Sequence, residues 1–210
     1  MSKPVLYDYF RSSASYRVRI ALNLKGIQYE RVPVDLVQGK QKEPDYRARN
    51  PQGFVPMLEV GELRITQSLA IIDYLDAVAP DPKLIPAEPA DRAYVLSLAF
   101  AVACDIHPLN NLRVLKYLSG SLRADEATRN SWYGHWVREG LAALEVQASP
   151  RAGRFLFADT VTLADICLVP QLFNARRFAV ELEDFPTLLR AEAEANALEA
   201  FAAAHPDTLG

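Results

Sequence analysis

The chain has 210 residues, half of them hydrophobic, enough to bury a sizeable core in one large domain or two small ones. Its 26 acidic and 23 basic residues leave a formal net charge of −3, which argues against a nucleic-acid partner, because phosphate contacts need a basic surface. Two cysteines, Cys104 and Cys167, far apart and outside any Cys-x-x-Cys spacing, support neither a disulfide framework nor a zinc site.

The first eighty residues mix short β-type runs with helices, and everything after about residue 90 reads as helix separated by turns. Val5 to Tyr9 predicts a first strand, Val18 to Lys25 an amphipathic helix closed by Gly26, and Tyr29 to Val34 a second strand, which together make a βαβ unit. Val55 to Val60 and Leu63 to Ile65 flank Gly61-Glu62 and predict a hairpin. Gln67 to Ala77 predicts a helix, with Leu69, Ile72 and Leu75 at helical spacing. Four prolines in PDPKLIPAEPA, residues 80 to 90, favour an extended connection.

Downstream, Ala90 to Leu122, Asp125 to Ala148, Thr162 to Phe178 and Pro186 to Ala204 predict four helices. Thr162 and Asp165 have the spacing of a reciprocal cap at the third helix start. The longest apolar run, Ala93 to Cys104, falls short of the roughly 20 residues of a membrane span and is interrupted by Ser97. It reads as a core helix, and both cysteines, lying in apolar helical surroundings, are expected to be buried and inert. MSKPVLYDYF shows no secretory pattern, so a cytoplasmic protein with no membrane partner is expected. The expected division is a first domain over 1–80, a linker over 81–90 and an all-helical domain over 91–210.

Two constellations carry chemistry. RSSASYRVRIALNLKG puts Arg11, Ser12 and Ser13 directly after a strand and at a helix opening, where unpaired N–H groups and the helix dipole stabilise an anion. Read locally, the serines are equally ordinary N-caps. In NPQGFVP, a cis Val55-Pro56 bond would leave the Val55 backbone free to pair with an extended ligand, and Gln67-Ser68 opens the next helix with donors for a carboxylate. A turn proline and a second N-cap are the plainer account.

The order strand, helix, strand, Val-Pro, hairpin and Gln-Ser helix, followed by a helical region with the Thr-x-x-Asp cap, resembles the glutathione transferase superfamily over essentially the whole chain. SSASYRVRIALNLKG is similar to the signature of its zeta class, and NPQGFVP, QSLAIIDYL, DIHPLNNLRVL, TLADICLVPQ and NARRF continue the similarity. Ala14 stands where that class usually has Cys or Thr, so any role of that side chain is missing here.

The resemblance implies an α/β thioredoxin-like N-terminal domain plus an all-α C-terminal domain. It implies glutathione as cofactor, with Ser12, beside Ser13, on the sulfur, Gln41 and the Val55 backbone on the cysteinyl and glycyl parts, and Gln67 and Ser68 on the γ-glutamyl carboxylate. From local sequence Gln41 is only a polar loop residue. Arg11 and Arg177, with Arg113, are expected to hold a substrate carrying carboxylates at both ends, since guanidinium pairs with carboxylate in a bidentate way. His107, at a distortion set by Pro108, and Asn111 are expected to border glutathione and substrate, whereas His135 and His205 are expected to face solvent.

The activity implied is glutathione-dependent cis–trans isomerisation of a dicarboxylic keto acid, with maleylacetoacetate of tyrosine and phenylalanine breakdown leading and maleylpyruvate of gentisate breakdown the nearest rival. Two more distant readings are a conjugating transferase acting on electrophilic or halogenated acids and a non-catalytic binding protein of the same fold. The resemblance also implies a homodimer. No metal, nucleotide or flavin motif is present, and glutathione is the only cofactor named.

Overall fold

The structure, a computed structural model, describes residues 3–209. It divides into two compact units, Met1–Leu84 with Ala197–Gly210, and Ile85–Asn196.

The first unit runs β1 (Val5–Asp8), α1 (Ser13–Leu24), β2 (Glu30–Pro33), a 3₁₀ turn at Lys40–Lys42, α2 (Pro44–Arg47), β3 (Met57–Val60), β4 (Leu63–Thr66) and α3 (Ser68–Val78). The sheet order is β2-β1-β3-β4. Strands β1 and β2 are parallel through the α1 crossover, with Leu6 opposite Arg31, and β3 runs antiparallel to both β1 and β4. Period-two alternation gives the sheet two buried sides. Leu6 and Leu58 are fully buried with Val18, Ile20 and Leu22 of α1 and Ile71 and Ile72 of α3. Tyr7 and Tyr9 join Val34, Tyr46 and Val55 in a separate apolar cluster.

Helix α1 starts five residues before the apolar periodicity does, because Ser12 caps it, Oγ accepting from Ser15 N–H at 3.2 Å. Arg17 and Arg19 of α1 then enter the interior. Arg19 is fully buried and donates to Asp8 Oδ2 at 2.8 Å and to the Phe10 carbonyl at 2.9 Å, while Arg31 approaches the other Asp8 oxygen at 3.1 Å. These acceptors offset the cost of taking the Arg19 guanidinium out of water.

The second unit contains α4 (Pro89–Phe100), a π-helical turn (Ala101–Ile106), α5 (His107–Leu109), α6 (Leu112–Gly120), α7 (Glu126–Ala148), α8 (Leu163–Arg177) and α9 (Pro186–Asn196). The sequence predicts one helix from Ala90 to Leu122. The structure breaks it at Asn111, whose extended backbone caps α6, and widens it just before Pro108, whose ring would otherwise clash with the Cys104 carbonyl. Pro89–Gly120 is long and apolar enough to cross a membrane by length and composition. Val95, Leu98, Val102 and Ile106 instead enter the core, where Val137, Leu141, Ile166 and Leu168 are also buried. Cys104 corrects one expectation: it is exposed on the π-helical turn, while Cys167 is buried.

The Thr162–Asp165 cap forms in full. Asp165, fully buried, also accepts from Leu156 N–H at 2.8 Å and so ties the preceding loop to α8. The predicted last helix is likewise interrupted: Leu198 is extended, and α10 (Glu199–Ala204) follows. Residues 197–210, expected in the helical domain, group with the first unit instead. Arg19 Nε donates to the Ala204 carbonyl at 3.1 Å and Asn23 Nδ2 to the Ala200 carbonyl at 3.0 Å, so polar side chains of α1 satisfy carbonyls of α10.

Candidate functional site

In the first unit two helix starts and one loop are built around the predicted residues. The chain turns after β1, Ser12 N–H donating to the Tyr9 carbonyl at 2.9 Å, and Ser12 then caps α1. As a cap its Oγ is an acceptor, which leaves the hydroxyl hydrogen to donate at the positive end of the helix. The cap geometry is therefore compatible with a donor to an anion. Ser13 is buried in the first turn. Arg11 is exposed, its guanidinium over the Phe10 ring at 4.9 Å from the centroid.

The loop Asn50 to Pro56 gathers residues from three places. Asn50 is buried, and its Nδ2 donates to the Phe54 carbonyl at 2.8 Å, an acceptor shared with the Tyr46 hydroxyl at 2.5 Å. Gly53 has φ +63°, and a Cβ there would stand 2.7 Å from the Gln41 carbonyl oxygen, so loop and 3₁₀ turn meet backbone to backbone. That contact brings Gln41 to the loop. Its side chain is buried and Oε1 has no hydrogen-bond partner.

Val55-Pro56 is cis, as expected, and Val55 stands outside the β1–β3 ladder, whose register ends at Tyr7 opposite Met57. Gln67 precedes α3 with φ 70° and ψ 118°, a strained backbone for a residue with a side chain. Its Nε2 donates to Gln52 Oε1 of the loop at 2.9 Å, and its side chain makes no cap. Ser68 is buried at the first position of α3, with Arg17 Nη1 3.4 Å from its Oγ. Sequence reasoning singled out the NPQGFVP segment without giving Asn50 or Gln52 a role in it, and it missed Arg17, whose signal is a cation inside the apolar register of α1.

In the second unit, half-buried His107 opens α5 directly after the π-helical turn. Asn111 Oδ1 accepts the Arg113 N–H at 3.1 Å and so caps α6, and the Arg113 side chain is exposed. The adjacent arginines of NARRF separate. Arg176 forms a bidentate pair with Glu192 of α9, both bonds 2.5 Å. Arg177 is exposed, donates to Asn174 Oδ1 at 3.1 Å and lies beside Tyr133, whose hydroxyl is pushed up in pKa by burial and pulled back by that cation. Of the other histidines, His135 is exposed, but His205 is half-buried, edge-on to Tyr16 at 6.0 Å, because α10 folds back on α1.

The structure thus gathers Ser12, Ser13, Gln41, Val55, Gln67 and Ser68, with Arg11, on the first unit, and carries His107, Asn111, Arg113 and Arg177 on the second.

The family model of the glutathione S-transferase N-terminal domain matches residues 3–77, and that of the C-terminal domain matches residues 132–204. A maleylacetoacetate isomerase of Rhizobium meliloti (strain 1021) is 48% identical over 207 residues, covering 98% of this chain and 97% of the relative. The holo structure of a maleylpyruvate isomerase, described as a bacterial zeta-class glutathione S-transferase, superposes with a TM-score of 0.94 at 45% identity over 96% of each chain. A maleylacetoacetate isomerase of Methylobacterium extorquens AM1, solved with malonate and glutathione bound, gives a TM-score of 0.93 at 42% identity, again over 96% of each chain.

Proposed function

Because this chain belongs to the glutathione S-transferase family, and within it to the zeta class, we propose that it is a glutathione-dependent cis–trans isomerase whose substrate is maleylacetoacetate. Ser12 carries this reading: its Oγ is held by the cap bond and keeps a hydrogen to donate at a helix start.

The residues of the first unit fit glutathione. The buried, unbonded Gln41 Oε1 is an acceptor for an amide N–H, Val55 offers backbone outside the sheet ladder, and the α3 start, with its N–H groups and the Ser68 hydroxyl, suits the γ-glutamyl carboxylate. Ser13 completes the α1 start, and Gln67 sets the entry of the chain into α3.

Bound glutathione supplies the thiolate whose reversible addition to the conjugated cis double bond lets that bond rotate before the thiolate leaves. Ser12 is too weak a base to remove the thiol proton, and it acts as a donor that favours the thiolate. A thiol with pKa near 8.5 is only about 3% ionised at pH 7, so a shift of about two units raises the nucleophile more than tenfold, worth roughly 2.7 kcal/mol. Arg11 and Arg177, with Arg113, bind the carboxylates of the substrate and stabilise charge that develops on its keto arm. Family kinship assigns His107 and Asn111 to ligand binding as well. The malonate in the Methylobacterium relative supports a dicarboxylate as the ligand class.

Maleylpyruvate is the second reading, favoured by the similarity to the maleylpyruvate isomerase, and it differs in the length of the keto arm. A homodimer in the cytoplasm belongs to the same proposal, on the strength of family kinship.

The test is conversion of maleylacetoacetate and of maleylpyruvate to their trans isomers with and without glutathione. Isomerisation that requires glutathione and leaves its amount unchanged is expected, and the ratio of kcat/KM values assigns the substrate. A stable thioether product would make the protein a conjugating transferase, and absence of glutathione binding would make it a non-catalytic member of the fold.

A further inference from the structure

We infer that Arg17 is a positioning residue for the glutamyl carboxylate of glutathione, acting through Ser68. This inference rests on the reading of Ser68 as part of the glutathione site.

Arg17 lies on α1, five residues after the Ser12 cap, and its guanidinium reaches the start of α3. The residue is 2% exposed, Ser68 is 6% exposed, and Nη1 stands 3.4 Å from Ser68 Oγ across 51 residues of sequence. A serine hydroxyl has one hydrogen and two lone pairs. A guanidinium donating to Oγ occupies a lone pair and leaves the hydrogen to point elsewhere, so Ser68 becomes a donor by construction. A fixed donor at a helix start is complementary to an anion and mismatched to a neutral or cationic group.

The buried guanidinium also adds a positive charge that solvent screens little beside the start of α3. Its neighbour on the same helix shows the contrast. Arg19 is fully committed to Asp8, Phe10 and Ala204, a purely architectural set of acceptors, whereas Arg17 reaches the first residue of α3. Gln67 makes no side-chain bond to the start of α3, so Ser68 and the first N–H groups of the helix form the donor set that Arg17 backs.

A ligand that lacks only the carboxylate separates positioning from architecture. Calorimetric Kd values are measured on the full chain for glutathione and for its analogue with γ-aminobutyrate in place of γ-glutamate, with wild type, Arg17→Met and Arg17→Lys. The expected result is that wild type prefers glutathione, that Arg17→Met weakens glutathione about tenfold or more, the range for a hydrogen bond to a charged group, and changes the analogue far less, and that Arg17→Lys recovers part of the loss. Equal losses for both ligands, or no loss for glutathione, would overturn the role of Arg17 while leaving the site intact. A wild type that binds both ligands equally would remove Ser68 from the carboxylate site and the inference with it. Should Arg17→Met fail to fold, nitrogen-labelled arginine in the wild type decides the matter: the Arg17 guanidinium resonances should respond to glutathione and not to the analogue, and an identical response to both overturns the inference.

Discussion

Gly140 on α7 meets Ile106 of the π-helical turn with no room for a methyl group between them: a Cβ on Gly140 would fall 2.6 Å from Ile106 Cδ1 and closer still to Cγ1. Ile106 immediately precedes His107, so this contact fixes the turn that presents His107. Gly140→Ala is expected to destabilise the protein by about 1–3 kcal/mol through overpacking, despite alanine's better helix propensity. Adding Ile106→Ala should restore part of that loss by making space. Urea unfolding of the two single variants and the double variant checks the coupling, and additive effects would refute it.

Asp76 contributes to the acid limb of stability in the first unit. It accepts from Lys25 Nζ at 2.7 Å and from Leu84 N–H at 2.7 Å, with Lys83 Nζ 3.2 Å away. Burial raises its pKa, but these donors outweigh burial and hold it below the ordinary 3.8. A depressed carboxylate contributes stability that is fully present above pH 3.8 and lost as pH falls through the folded-state value. Asp76→Asn should therefore cost about 3 kcal/mol at neutral pH, since it strands the buried Lys25 ammonium, and the gap to wild type should close as the medium is acidified. Thermal unfolding across that range measures it.

Ser12→Ala removes the cap and, on the proposed function, the donor to the thiol. Turnover at saturating glutathione is expected to fall tenfold or more near pH 7, with glutathione affinity changed much less and stability lowered by about 1 kcal/mol. Thiolate absorbance of the bound cofactor against pH should show the thiol titrating closer to its free value. Unchanged turnover would remove Ser12 from the mechanism.

The two neighbouring arginines should separate in their effects. Arg177→Met is expected to raise KM for the dicarboxylate substrate by about tenfold or more with melting temperature kept, as removal of a charge-assisted contact does. Arg176→Met should do the reverse, losing the bidentate pair with Glu192, about 1 kcal/mol of stability, and leaving KM close to wild type.

What the sequence alone determined is what neighbours within a turn or two decide. The Thr162–Asp165 cap, the Gly61 hairpin, the prolines that interrupt helix between residues 80 and 90 and the serines at the opening of α1 are all set by groups a few residues apart, and each was legible. The start of α1 was misplaced only because apolar periodicity begins later than the cap. Tertiary structure decided the rest. Whether Arg17 and Arg19 are surface charges or interior ones depends on Ser68, Asp8 and Ala204, up to 185 residues away. Gln41, a plain polar loop residue by local sequence and a site candidate only by resemblance, meets the Asn50–Pro56 loop because Gly53 lets two backbones touch, and Gln67 joins that loop through Gln52. Cys104 turned outward with the widened helix, and residues 197–210 grouped with the first unit because α1 carries the donors their carbonyls need. Caps and turns are satisfied by local hydrogen bonds, whereas burial and charge pairing wait for partners that only the folded chain supplies.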